Sequence, residues 1–249
     1  MPSRLPLVTS KLLDSSGLVI SGMSTRQGGV GGEPFGLNLS FNVGDVEENV
    51  RRNRALFFHA LGISSDRIAI PRQVHSSILH YAKDPGAYPD CDGLITDMPE
   101  VFLCVTVADC LPVLVLDKKR RIVAAIHAGW RGTAGTIALK GVIRMIEEFH
   151  CSPEDMVVSV GPGAGSCCYN VGADVARLFA PEFVREDGEK VFIDLKAAIT
   201  SQLLLCGIRR DAIDVSTHCT IDAPALFHSY RRDNKRSGRM MAVIGLKAA

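Results

Sequence analysis

The chain has 249 residues, 47% of them hydrophobic and 22% charged, with a formal net charge of +1. That length allows one large domain or two small ones around a sizeable core. The near-neutral balance excludes long-range attraction to nucleic acid or an anionic membrane, so any bound anion must be recognised by a local group of residues.

The first strand is expected over Leu18 to Met23, followed by a glycine-rich loop from Gly28 to Gly36. A helix starts at Asp45, with Asp45 and Glu48 as a capping box and Val46, Val50, Phe57, Phe58 and Leu61 as its apolar stripe; Gly62 stops it. Arg67 to His75 and Ser77 to Tyr81 read as strands. Val101 to Leu116 reads as two strands bent near Cys110 to Pro112, and Arg121 to His127 as another. Asp109 and Pro112 interrupt the longest apolar run, which is shorter than the ~20 residues of a membrane span. With no signal-peptide core at the N-terminus either, a cytoplasmic protein is expected.

A helix covers roughly Gly135 to Phe149, with Ile137, Val142, Met145, Ile146 and Phe149 inward. Strand Met156 to Val160, a glycine-rich loop and a helix from about Gly172 to before Pro181 follow. Asp194 caps a helix to Cys206, with Gly207 as its stop. Strands Ala212 to Ser216 and Met240 to Leu246 complete the chain. Short turns between neighbouring strands and irregular alternation with helices predict an α+β fold with antiparallel or mixed sheets, and the lack of a linker predicts a single domain over residues 1–249.

The eight cysteines are irregularly spaced, and Cys167 and Cys168 are adjacent, so they do not form a disulfide framework. Cys110 is the informative one. Asp117-Lys-Lys-Arg120 joins two β-branched-rich runs as a hairpin turn would. If Leu116 faces Arg121, then Cys110 faces His127 on the same side, with Cβ atoms ~5 Å apart. A thiolate and an imidazole so placed can share a zinc ion. His75, at the end of an apolar strand, is the best third ligand, with His80 a less defined choice and His218 and His228 supporting candidates. Such a set leaves a fourth position open, as catalytic zinc requires; it also suits copper.

Two other segments invite an anion. His228-Ser-Tyr-Arg-Arg-Asp-Asn-Lys-Arg-Ser-Gly-Arg239 is either a solvated hairpin tip or an arginine fork, and Ser24-Thr-Arg-Gln-Gly-Gly29 is a turn or an anion site. Gly161-Pro-Gly-Ala-Gly-Ser-Cys-Cys168 lies between strand and helix but lacks the Lys-Ser/Thr of a P-loop.

The chain resembles the bacterial laccase-domain family, the YfiH-type proteins also called polyphenol oxidases or peptidoglycan editing factors. Ser24–Gly29, Leu37-Asn-Leu39 with Val43-Gly-Asp45, Arg72-Gln-Val-His75, Cys91-Asp-Gly93, Ala108-Asp-Cys-Leu-Pro-Val113 and Ala125-Ile-His-Ala-Gly-Trp-Arg-Gly132 carry the resemblance. Gly161-Pro, Cys167-Cys-Tyr169, Cys219-Thr220, Ser229-Tyr-Arg-Arg-Asp233 and Gly238-Arg239 complete it, in family order over almost the whole chain. The resemblance implies a metal triad of His75, Cys110 and His127. It also implies a purine nucleoside phosphorylase acting on adenosine, inosine, guanosine and methylthioadenosine, with adenosine deaminase as a second activity. Phosphate or substrate contacts would fall to Arg232, Arg26 and Arg131. One departure is Gly163-Ala-Gly165, where family members often carry a bulkier residue, which bears on the nearby pocket wall.

Asp92 is a candidate acid/base, although Asp92-Gly93 is equally a turn, and Asp109 should point away from Cys110 if both lie in one strand. Three rivals stand beside this reading. One is copper-dependent phenol oxidation. Another is a cysteine hydrolase or amidase of peptidoglycan editing, with Cys110 as nucleophile and His127 as base. The last is a non-catalytic metal-binding module.

Overall fold

The apolar run between residues 101 and 128 becomes the centre of the molecule. Strands Phe102–Val107, Leu111–Asp117 and Ile122–Ala128 are almost entirely buried. They are divided between two sheets in a computed structural model that describes residues 5–248. In the first sheet the order is Leu7–Val8, Val19–Ser24, Met240–Leu246, Phe102–Val107, Ile68–Pro71 and Gly86–Tyr88. In the second it is Ile213–Val215, Met156–Val160, Leu111–Asp117, Ile122–Ala128, Gly93–Thr96 and Leu79–Tyr81. Each is antiparallel at its centre; the first gains parallel pairs toward its Gly86–Tyr88 edge only, the second at both edges.

Alternation along the strands explains the layering. Leu114, Leu116, Val123 and Ala125 face Leu103, Val105, Ala242 and Ile244 of the other sheet. Val113, Val115, Ala124 and Ile126 turn the opposite way, onto Ile137, Val142, Met145, Ile199 and Leu203 of helices Ile137–Phe149 and Leu195–Leu205. Helix Glu47–Leu61 covers the far side of the first sheet with Phe57 and Phe58. The result is helix, sheet, sheet, helices: the α+β architecture with mixed sheets that the patterning predicts.

Several boundaries move. Val46, not Asp45, occupies the N-cap of the first long helix, and its side chain is exposed instead of joining the stripe; no capping box forms because the Asp45 carboxylate accepts from the Val46 N–H and from Asn38. Gly62 does end that helix, in the left-handed region that favours glycine. The strand expected over Arg67 to His75 stops at Pro71, leaving His75 on a loop with φ 59. The two halves of the Val101–Leu116 run do not pair; the chain passes from one sheet to the other through Ala108, Asp109 and Cys110, with Asp109 at φ 83. Strands Gly86–Tyr88 and Gly93–Thr96 and the hairpin Val184–Asp187 with Lys190–Ile193 are additional.

The hairpin register is also corrected. Leu116 lies opposite Val123 and Pro112 opposite His127, two positions from the expected pairing. Asp117 belongs to the strand, opposite Ile122, and its Oδ1 accepts from the Lys119 and Arg120 N–H groups. The turn therefore spans 118–121. A slip of two keeps the face, because side chains alternate with period two, so Cys110 and His127 remain neighbours along a diagonal.

Among the described residues no helix is long and apolar enough to cross a membrane.

Candidate functional site

Asp92 organises the site. It directly precedes strand Gly93–Thr96, whose antiparallel partner is Ile122–Ala128, with Gly93 opposite Ile126. That pairing places Asp92 opposite His127, and the His127 N–H donates to the Asp92 carbonyl at 2.7 Å. The side chains repeat the link: His127 Nδ1 lies 2.8 Å from Asp92 Oδ1. The same carboxylate gathers the backbone N–H groups of Val74, His75 and Ser76 and the Ser76 hydroxyl. This collar bends the loop and sets His75 in its left-handed conformation, while Gln73 pins the loop to Thr106 of the neighbouring strand. Asp92 is fully buried between them and is not a cleft-facing acid/base.

Cys110 stands where the chain crosses between the sheets. One ligand atom from each of His75, Cys110 and His127 lies within 4.8 Å of the others. The two imidazoles meet edge to face, with centroids 5.0 Å apart. Gly129 closes the cluster from behind: a Cβ there would lie 2.9 Å from Cys110 Sγ, so only glycine fits so close an approach.

The electrostatics follow from this packing. Burial pushes the Cys110 thiol up, but the imidazoles of His127 and His75 outweigh it and bring it down to about 6. Burial pushes His127 down, and the Cys110 sulfur and Asp92 carboxylate raise it to about 9. Burial also opposes ionisation of Asp92, yet hydrogen bonds from His127 and Ser76 hold it down to about 2. A carboxylate on Nδ1 leaves Nε2 of His127 for the sulfur side, which is the usual orientation of a metal-binding imidazole.

The cluster opens into a cleft of about 1250 Å³. Phe41, Trp130, Tyr169 and Tyr230 present aromatic rings there, and Arg54, Arg72, Arg131, Arg231 and Arg239 present guanidinium groups. The candidate arginines divide. Arg131 lines the cleft. Arg232 does not: its guanidinium donates to the carbonyls of Thr220, Ile221 and Phe227 and to both oxygens of Asp233. Arg26 is tied likewise to Pro224, Glu33 and Pro34. The neighbour of Arg232 takes its place, since the Arg231 N–H donates to Asp109 Oδ2 and its guanidinium sits over Tyr169. Asp109 and Cys110 lie in the crossover and not in one strand, so the alternation expected of them does not apply; Asp109 lines the cleft beside Cys110 and also accepts from Thr220 Oγ1.

His80, His218 and His228 do not line the cleft; His218 packs on Phe227 and His228 is buried against Gly238. Gly163 and Ala164 pack against Leu111 and Asp109, so the departure at 163–165 lies behind the cleft wall. Arg72 and Tyr230 fall in segments already notable in the sequence, but nothing local distinguished Arg231 from Arg232.

A sulfur and two imidazoles at an arginine- and aromatic-lined cleft form a candidate small-molecule site in a protein of α+β class. Residues 20–247 match the family model described as multi-copper polyphenol oxidoreductase laccase, and the chain belongs to that family. It is 39% identical to a purine nucleoside phosphorylase of Deinococcus radiodurans over 228 residues, covering 90% of this chain and 87% of that protein. It is similar to the crystal structure of YlmD from Geobacillus stearothermophilus, with a TM-score of 0.88, 36% identity and 92% of each chain covered. The Bacillus licheniformis protein YfiH gives a TM-score of 0.88 at 34% identity, covering 92% of this chain and 93% of that one.

Proposed function

We propose that the cleft is the active site of a purine nucleoside phosphorylase, with one metal ion held by His75, Cys110 and His127. Zinc is the first choice and copper the alternative. The observation that carries the reading is the pairing of cations with aromatic faces around the cluster. Arg54 lies over Phe41 at 4.5 Å, Arg131 over Trp130 at 4.2 Å, Arg231 over Tyr169 at 5.0 Å and Arg239 over Tyr230 at 5.4 Å. A purine offers a flat π-face and phosphate a fork-matching anion, so one wall can recognise both. The relatives named purine nucleoside phosphorylases support the same substrate class.

In phosphorolysis a phosphate oxygen bonds to C1′ as the bond to the purine nitrogen breaks, and that electron pair leaves with the base. Arg72 and Arg131, exposed on the cleft wall, are suited to orient the phosphate, and holding the reactants together removes much of the entropic barrier. Phe41, Trp130, Tyr169 and Tyr230 are suited to hold the base and sugar. The donor set fits a metal: a thiol with depressed pKa and two imidazoles, one oriented by a carboxylate. When bound, the ion supplies concentrated positive charge as a Lewis acid.

Adenosine, inosine, guanosine and methylthioadenosine are the substrates of this proposal, with adenosine deamination secondary. Deamination needs a proton shuttle, and Asp92 is sequestered behind His127, so the shuttle is another group. One observation favours a second reading: Cys110, His127 and Asp92 also stand in the order of a thiolate, an imidazolium and an orienting carboxylate, as in cysteine hydrolases.

The test joins elemental analysis of purified protein with phosphate-dependent release of hypoxanthine from inosine. Wild type is expected to carry about one zinc per chain and to turn over, and Cys110→Ala to lose both. Undiminished phosphorolysis by metal-free Cys110→Ala would overturn the proposal. Hydrolysis that resists chelators but is abolished by thiol alkylation would select the cysteine-hydrolase reading.

A further inference from the structure

A second set of soft donors lies outside the cleft. The sulfurs of Cys167, Cys168 and Cys219 all stand within 4.8 Å of one another, and the Cys167 and Cys168 Sγ atoms are 3.0 Å apart. Local sequence explains only half of this. Cys167 and Cys168 sit in the turn after Gly165, closed by the Cys168 N–H donating to the Gly165 carbonyl. Cys219 comes from a segment some fifty residues later, brought alongside by a parallel bridge between Gly163 and Cys219 and by the Thr220 N–H donating to Gly163.

Gly165 is the keystone of the arrangement. Its N–H points at Cys219 Sγ, 3.2 Å away. A Cβ at that position would lie 3.4 Å from both Cys167 Sγ and Cys219 Sγ, so glycine leaves the space between the two loops to sulfur. Access is graded: Cys219 is buried, Cys168 half-buried and Cys167 exposed. Cys167, Cys219 and Gly165 line an open groove of about 670 Å³ together with Lys196. The Lys196 ammonium is anchored there by the carbonyls of Ser216 and His218, at 2.7 and 2.6 Å.

Three thiols without an imidazole or carboxylate among them form a uniformly soft donor set. Thiolates select soft metals such as Cu(I) and zinc. Structural zinc demands four protein ligands, whereas among the described residues only three converge here. The geometry points to a second, independent metal site in which Cys167, Cys168 and Cys219 hold one soft monovalent cation, Cu(I), in three-coordinate all-sulfur ligation. Binding forms three copper–sulfur bonds and releases the thiol protons to solvent; no electron is transferred, because copper enters as Cu(I). The anchored ammonium of Lys196 offsets part of the negative charge that three thiolates leave on the complex.

The test is anaerobic titration of the reduced protein with Cu(I) in competition with bicinchoninate, followed by copper-edge X-ray absorption. Cys110→Ala is used beside wild type, so that the thiolate of the cleft cannot be the source of the signal. Both proteins are expected to bind one Cu(I) per chain in this site, and Cys110→Ala, in which the cleft cluster lacks its thiolate, to show a first shell of sulfur alone. Cys167→Ala removes an exposed side chain and should weaken that binding by more than the roughly 10–100-fold that loss of an outer-shell partner costs, while leaving the unfolding temperature unchanged. Cys219→Ala should do the same, with circular dichroism to verify the fold. A shell containing nitrogen in Cys110→Ala, loss of the site in that variant, or unchanged affinity in Cys167→Ala would overturn the proposal. None of these outcomes depends on phosphorolysis, so this site and the proposed activity stand or fall separately.

Discussion

The two donor clusters make an instructive contrast, for each brings three ligand atoms within the same 4.8 Å but in different settings. His75, Cys110 and His127 mix one sulfur with two imidazoles, are braced by a buried carboxylate and open onto a large arginine-lined cleft. Cys167, Cys168 and Cys219 are sulfur alone, braced by a backbone N–H, and border a shallower groove with one ammonium. Proximity of ligands is therefore common to both. What separates a candidate reaction centre from a candidate binding site is the surrounding apparatus for substrate.

Breaking the first cluster should have the largest effect. Cys110→Ala is expected to reduce phosphorolysis by more than the roughly 10³-fold that loss of one electrostatic donor costs, with metal content falling in parallel. Asp92→Asn should come next. Removing an orienting partner of a ligand imidazole costs about 10–100-fold in metal affinity or activity, which a zinc-chelator competition would measure. Activity and metal retention at wild-type levels in Asp92→Asn would remove the carboxylate from the account.

The cleft arginines test the contrast between binding and bracing. Arg131→Ala should raise KM for phosphate roughly 10- to 100-fold, as expected from the 1.5–3 kcal/mol of a hydrogen bond to a charged group, with no change in thermal stability. Arg232→Ala should do the reverse. Its bonds to three carbonyls and Asp233 hold the tail segment, so Tm should fall by several degrees, about 2–4 °C per kcal/mol at this chain length. The two outcomes exchanged would reverse the assignment of these residues.

A smaller effect belongs to pH. Asp92 is held down to about 2 in the folded metal-free protein, below its unfolded value near 4. Its stabilisation is therefore fully present above about pH 4 and lost as pH falls toward 2, amounting to roughly 2 kcal/mol. Acid unfolding followed by circular dichroism should show that dependence in wild type and lose it in Asp92→Asn. Smallest of all, Cys167→Ala should leave phosphorolysis unchanged, because that thiol borders the groove and not the cleft.

Much of the fold was legible in the sequence because burial and alternation leave local marks. Strands Met156–Val160 and Met240–Leu246 lie where their patterns place them, and Asp194 caps the helix Leu195–Leu205 by accepting from the Ala197 N–H. The neighbourhood of Cys110 and His127 was also foreseeable, although the register was two positions away, because a shift of two preserves the face. Other features left no such mark. Gly93–Thr96 is a short strand, and without its pairing Asp92 resembled an ordinary turn residue. Arg231 and Arg232 are adjacent and chemically identical; the carbonyls of Thr220, Ile221 and Phe227 together with the Asp233 carboxylate decide which of them braces the segment.

By itself, the sequence determined the α+β class of this protein, the identity of its ligand-capable side chains and its family, because each is written in residue types at short range. Tertiary structure decided which carboxylate orients His127, which arginines reach the cleft and which cysteines meet. Those outcomes depend on hydrogen bonds and close approaches between segments distant in sequence, such as Asp109 with Thr220 and Arg231, 111 and 122 residues apart. No local pattern encodes them, since the same side chain serves equally well as a brace or a binding group until its neighbours are in place.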